Sequence, residues 1–212
     1  MLKPELSNLF REVSAGNPVL VLLNQSFDWA PVWHYAVVVG FDVTNRVVLL
    51  HSGVDKYLST DMRTFERTWK RAKYWAMVAL PSNKTPQTAD VFEYIKTVSK
   101  FDALKKHDIA IASYKTALKR WPENLTLYLV LGNSYFQLGQ LDNAYKTLRG
   151  AVKLFPKSAV AYNNLAYVLY KQNKIQSAYD HALKAVKLDG NNFGDSKKTL
   201  DEIKSHPMFV SP

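Results

Sequence analysis

His34 stands at the head of an apolar run, WHYAVVVGFDV at residues 33–43, in a chain of 212 residues with no cysteine. An imidazole at the rim of a strand is well placed to exchange a proton with a reacting group, because its charge changes near neutral pH. Thiol chemistry would also need a thiolate, and the chain has none. The next strand-like stretch, RVVLLHSG at residues 46–53, offers His51 and Ser52 as partners for the His34 ring. No carboxylate stands at Leu50–Ser52, and either residue would stabilise an imidazolium less than aspartate would. His34 and His51 come with no cluster of further ligands, so no metal is expected. No glycine-rich phosphate loop is present, and no cofactor is expected. Trp29 and Trp33 flank the histidine, either as core residues or as walls of a cleft.

The elements that would position these residues are legible. Lys3–Ala15 reads as a helix with Leu6, Leu9, Phe10 and Val13 on one face and Gly16 as its stop. Val19–Leu23 is a continuous apolar strand, and residues 25–33 form a loop containing Pro31. Tyr35–Asp42 and Arg46–His51 flank the turn residues Val43–Asn45 and read as an antiparallel hairpin. Met62–Arg71 reads as a short helix capped by Thr60 or Asp61, and Tyr74–Leu80 as the last of at least four strands.

The chain changes character at residues 81–90, PSNKTPQTAD, where two prolines exclude a helix or a central strand. Beyond it the sequence repeats every 34 residues: Ala110, Ala144 and Ala178 share a phase, as do Ala117, Ala151 and Ala185, and Tyr94, Tyr128 and Tyr162. Pro122, Pro156 and Gly190 close each copy, and Asp90, Asn124 and Ser158 offer N-caps for the next helix. This pattern resembles three tetratricopeptide repeats, at 91–124, 125–158 and 159–192, with a terminal capping helix reaching 205 and a tail at 206–212. Val98, Lys105 and Asn173 depart from it, and the first repeat is expected to be the irregular one. The resemblance implies a concave groove lined by the first helix of each pair: Ile95, Ser99 and Asp102; Leu129, Asn133, Phe136 and Gln137; Asn163, Tyr167, Tyr170 and Lys171. Within that groove Asn133, Phe136, Gln137, Asn163, Tyr167 and Tyr170 are the expected peptide-binding residues, and nearby lysines are expected to favour acidic peptides.

The first eighty residues resemble the C-terminal half of papain-like, bacteriocin-leader-processing-type cysteine peptidases. The resemblance rests on the G-N-P-V-L-V-L-L-N, H-Y-A-V-V-V-G-F-D and V-V-L-L-H-S-G strings followed by F-x-x-x-W and W-A-M-V-A-L-P. It is similar in particular to a bacterial subgroup in which such a domain precedes tetratricopeptide repeats. The resemblance implies amide hydrolysis with His34 as general base, assisted by His51 or Ser52. It also implies a cysteine after a glutamine on a helix further N-terminal, a portion expected to be missing before Met1. Ser7, Ser14 and Ser26 precede His34, but none combines a preceding glutamine with a helix start.

The fold class expected is therefore α+β, a partial papain-like domain with an antiparallel sheet over 1–82, then a linker at 83–90 and an all-α solenoid over 91–205. The function expected is that of a peptidase-like protein that is inactive alone and carries a peptide- or protein-binding module. The alternative is a non-catalytic scaffold. Charge is uneven: residues 1–82 hold 9 Lys/Arg against 7 Asp/Glu, whereas residues 83–212 hold 19 against 11. A basic helical half attracts acidic partners, but its lysines are scattered among acids, so specific nucleic-acid binding is not expected. No run reaches membrane-spanning length and no export signal is visible, which points to the cytoplasm for the chain as it stands, or to the cell envelope if it is truncated. The oligomeric state is not readable.

Overall fold

The computed structural model describes residues 5–190 and 194–210. Its chain contacts divide into two units, residues 1–90 and 91–212, each with its own apolar core.

In the first unit, α1 (Leu6–Ser14) is followed by β1 (Val19–Asn24), β2 (Trp33–Asp42), β3 (Val47–Ser52), β4 (Asp55–Asp61), α2 (Met62–Arg71) and β5 (Ala76–Val78). The strands form one antiparallel sheet in the order β4-β3-β2-β1-β5. Alternation sets its inner face: Val19, Val21, Leu23, Ala36, Val38, Val48 and Leu50 are buried, and Leu9 of α1 with Phe65 and Trp69 of α2 join the same core. Leu20, Leu22, Val37 and Leu49 have the opposite parity and are only partly covered. Gly16, at φ +74°, ends α1 in a left-handed conformation that glycine adopts without strain. Asp61 caps α2 by accepting the Thr64 amide at 2.9 Å.

Two differences from the sequence reading have clear causes. β4 has no apolar periodicity because it is an edge strand, DKYLSTD, paired to β3 on one side and almost wholly exposed. β5 spans only Ala76–Val78 and starts later than Tyr74 because Lys73 and Tyr74 both take positive φ, 53° and 55°, and break the extended chain there.

The second unit comprises α3 (Val91–Ala103), α4 (His107–Arg120), α5 (Leu125–Gln137), α6 (Leu141–Leu154), α7 (Ala159–Lys171), α8 (Ile175–Asp189) and α9 (Asp195–Lys204). Ala110, Ala144 and Ala178, with Ala117, Ala151 and Ala185, are all fully buried. They are small because neighbouring helices cross there. Gly132 shows the same constraint: a Cβ on it would lie 2.8 Å from Leu148 Cγ.

The expected irregularity of the first helical pair is not seen at its turn. Lys105, Gly139 and Asn173 all adopt positive φ (58°, 71° and 61°). In each turn the next amide reaches back to the helix, Lys106 to Phe101, Gln140 to Tyr135 and Lys174 to Leu169, at 2.8–3.0 Å. Tertiary packing imposes one turn on three different residues. No helix among the described residues is long and apolar enough to cross a membrane.

Candidate functional site

The histidine rim is built at one end of β2 and β3. Ala36 pairs with Ser52, and His34, two residues earlier on β2, shares their face. The His34 Nε2 atom lies 2.7 Å from Ser52 Oγ. With the hydroxyl accepting from Nε2–H, Nδ1 keeps its lone pair and can act as a base; if the hydroxyl donates, Nδ1 carries the proton instead. Ser52 can thus fix the ring's orientation and select its tautomer.

His51 does not join this pair. One residue from Ser52 in a strand, it points to the other face, where its ring packs edge-on against Tyr57 with centroids 4.9 Å apart and its buried Nε2 has no hydrogen-bond partner. The expectation that His51 assists His34 is corrected by strand parity.

The loop beside His34 is held by a residue that the sequence reading passed over. Asn24 is buried; its Oδ1 accepts the amides of Ser26 and Val32 at 3.0 and 3.1 Å, and its Nδ2 donates to Phe27 O. Arg71 adds a 2.9 Å bond to Ser26 O. Apolar rings stand out in water on this frame: Phe27 and Trp29 stack with centroids 5.7 Å apart, and Trp29 is 84% exposed. Trp33 is also exposed. These tryptophans are therefore not core residues. The signal in sequence was Asn followed by a short aromatic loop, an Asx-turn pattern.

The second candidate site is the groove of the helical unit. Gly132, Asn133, Phe136 and Gln137 of α5, Leu148 of α6, Asn163, Asn164, Tyr167 and Val168 of α7, and Asp195, Lys198, Thr199 and Glu202 of α9 line one open cavity of about 440 Å³. Five of the six expected groove residues are thus brought together. Tyr170 is outside the lining; its ring meets His206 edge-on with centroids 5.5 Å apart. Phe136 and Tyr167 face each other at 5.5 Å between centroids. The buried Oδ1 of Asn163 has no hydrogen-bond partner.

Three further groove expectations are corrected. Ile95 is buried in the apolar core of the first two helical pairs. Asp102 is engaged internally, receiving Tyr114 OH at 3.2 Å and Ser134 Oγ at 2.9 Å, with His107 Nδ1 at 2.8 Å. Lys171 is not a free cation for acidic ligands: its ammonium lies 3.5 Å from Glu202 and 4.8 Å from the Tyr167 and Tyr170 ring centres. Burial works to lower its pKa, but Tyr167 and Glu202 outweigh that and hold it above the ordinary lysine value. Among the described residues, no group of three or more His, Asp or Glu is placed to hold a metal ion.

Comparison with known proteins gives these two arrangements a setting. Residues 3–77 match the Peptidase_C39 like family, residues 132–173 a TPR repeat model and residues 159–192 a tetratricopeptide repeat model. The chain joins a Peptidase_C39-like domain to tetratricopeptide repeats. Its fold class is α+β followed by an all-α repeat solenoid. The Sgt2 TPR domain from Aspergillus fumigatus aligns with TM-score 0.50 and 20% identity over 57% of this chain and 86% of that one. The first TPR domain of human RPAP3 aligns with TM-score 0.50 and 23% identity, covering 53% and 88% of the two chains. The first TPR of Spaghetti (RPAP3), solved bound to the HSP90 peptide SRMEEVD, aligns with TM-score 0.49 and 23% identity over 53% and 89%. No curated protein matches the sequence.

Proposed function

We propose that this chain is a peptide receptor: three repeats at 91–124, 125–158 and 159–192, capped by α9, hold an extended peptide in the groove. They are carried by a peptidase-like domain that has a general base and no thiol. The observation that carries the reading is the convergence of Asn133, Phe136, Gln137, Asn163 and Tyr167 on one cavity. Amides spaced along two helices suit the alternating N–H and C=O of an extended backbone, and the two rings suit its side chains. In the peptidase-like unit His34, held by Ser52, has the chemistry of a proton acceptor, yet amide hydrolysis through a thioester needs a cysteine that this chain does not contain. The protein alone therefore binds peptides and does not cut them.

A peptide-array screen followed by titration of the best binder tests the reading. Asn133→Ala should weaken binding by about 1–3 kcal/mol, because polar groups of the bound backbone lose their partner. Unchanged affinity, or binding that maps to the convex face, would leave the repeats as a spacer.

A further inference from the structure

The groove's charge is supplied by one helix. Of the residues lining the cavity, those from α5, α6 and α7 are all uncharged, and the charged ones, Asp195, Lys198 and Glu202, all belong to α9. They stand three and four residues apart, so Lys198 lies on the same helix face as both carboxylates, one turn from each. Lys171, at the C-terminal end of α7, is already neutralised by Glu202 at 3.5 Å. A chain with formal net charge +10 thus has a cavity whose charged lining is two carboxylates and one ammonium. The uncharged polar groups left to recognise a ligand are the Thr199 hydroxyl and the amides, including the Asn163 Oδ1 that is buried without a donor.

We infer that the groove selects an extended, uncharged peptide segment and rejects acidic ones. This rests on the receptor reading above and goes further by naming the ligand class. A backbone N–H of the peptide satisfies Asn163, and an aliphatic or aromatic side chain lies between Phe136 and Tyr167. A carboxylate in the peptide meets Lys198 only beside Asp195 and Glu202, one turn away on either side, and that excess of like charge costs affinity and so sets specificity. Because recognition runs through amides and rings, binding of the neutral ligand is nearly independent of salt, whatever the net charge of the whole chain.

The test uses the full chain and three end-capped octapeptides sharing alternating leucine and phenylalanine, with the remaining positions all glutamine, all glutamate or all lysine. Titration at low and moderate salt should show the glutamine peptide binding at least about tenfold tighter than the glutamate peptide, with little change on adding salt. In the double variant Asp195→Asn, Glu202→Gln, Lys171 loses its partner and Lys198 loses the two carboxylates on its helix face. The glutamate peptide should then gain about tenfold and become salt-sensitive. Tightest binding by the glutamate peptide to the unmodified protein would overturn the inference while leaving the receptor reading in place. Tightest binding by the lysine peptide would overturn it as well, showing that the α9 carboxylates are available to ligand. If none of the three binds, or if Asn163→Ala leaves the glutamine peptide's affinity unchanged, the receptor reading itself falls.

Discussion

At the scale of single residues, the chemistry turns on which hydrogen bonds are already spent. His34 has its Nε2 engaged by Ser52, so Nδ1 is the nitrogen left for any group other than Ser52. Ser52→Ala should leave the fold intact and change the ring's tautomer balance. Long-range ¹H–¹⁵N spectra of His34 that do not differ between wild type and variant would show that the bond does not form in solution. Glu12 is the other spent group. It is fully buried and accepts from Asn17 Nδ2 at 2.8 Å, the Gln87 amide at 3.0 Å, and the amide and hydroxyl of Thr88 at 2.6 Å each. Burial pushes its carboxyl up, but the bonds from Thr88, Asn17 and Gln87 together outweigh this and hold it below the ordinary glutamate value. A lowered pKa in the folded state adds stability that is fully present above about pH 4.3 and lost as pH falls through the folded value. Glu12→Gln should cost about 1–3 kcal/mol near neutral pH and flatten the acid limb of a urea-midpoint profile. An unaltered acid limb would mean that other carboxylates dominate it. The sequence placed His51 and Ser52 alike near His34, and only the strand pairing, which fixes parity, selects Ser52. It did not show that Asp102 turns inward, since three donors from α4 and α5 decide that and none is adjacent in sequence.

At the scale of elements, two glycines in helices answer opposite demands. Gly132 lies where α5 meets α6, and an added Cβ would sit 2.8 Å from Leu148. Gly150, in α6, would meet only Tyr128 Cε1, at an ordinary 3.7 Å. Gly132→Ala should therefore destabilise, with overpacking of about 1–3 kcal/mol set against a helix-propensity gain of about 1 kcal/mol. Gly150→Ala should stabilise by about 0.5–1 kcal/mol. Urea midpoints that moved in the same direction would mean that the α5–α6 crossing is looser than it stands here. The helices were legible because small, large and capping residues recur at one spacing, each with a packing reason. β4 was not, because an edge strand with little apolar burial leaves no periodic trace. The contribution of α9 to the groove was hidden for a related reason: Asp195, Lys198 and Glu202 read as an ordinary solvated face until the helix is seated beside α7.

At the scale of the whole molecule, the composition bears most directly on activity. A cysteine-free chain with a histidine base can polarise a nucleophile only if it is a hydroxyl or a water. Among the described residues Ser52 is the one hydroxyl at hydrogen-bond distance from His34, and the same bond that would activate it is the bond that orients the ring. Among the described residues no carboxylate is seen to hold the imidazole, so a developing imidazolium would go largely unstabilised, and the pair is expected to be a weak catalyst. Fluorogenic peptide libraries should accordingly show no turnover above buffer, and iodoacetamide should leave peptide binding untouched. Turnover that survives iodoacetamide and disappears in both His34→Ala and Ser52→Ala would reveal a serine nucleophile. Turnover lost only in His34→Ala would point to a water activated by the imidazole. Either result would make the peptidase-like unit an enzyme in its own right, and the groove would then be read as its means of gathering substrate.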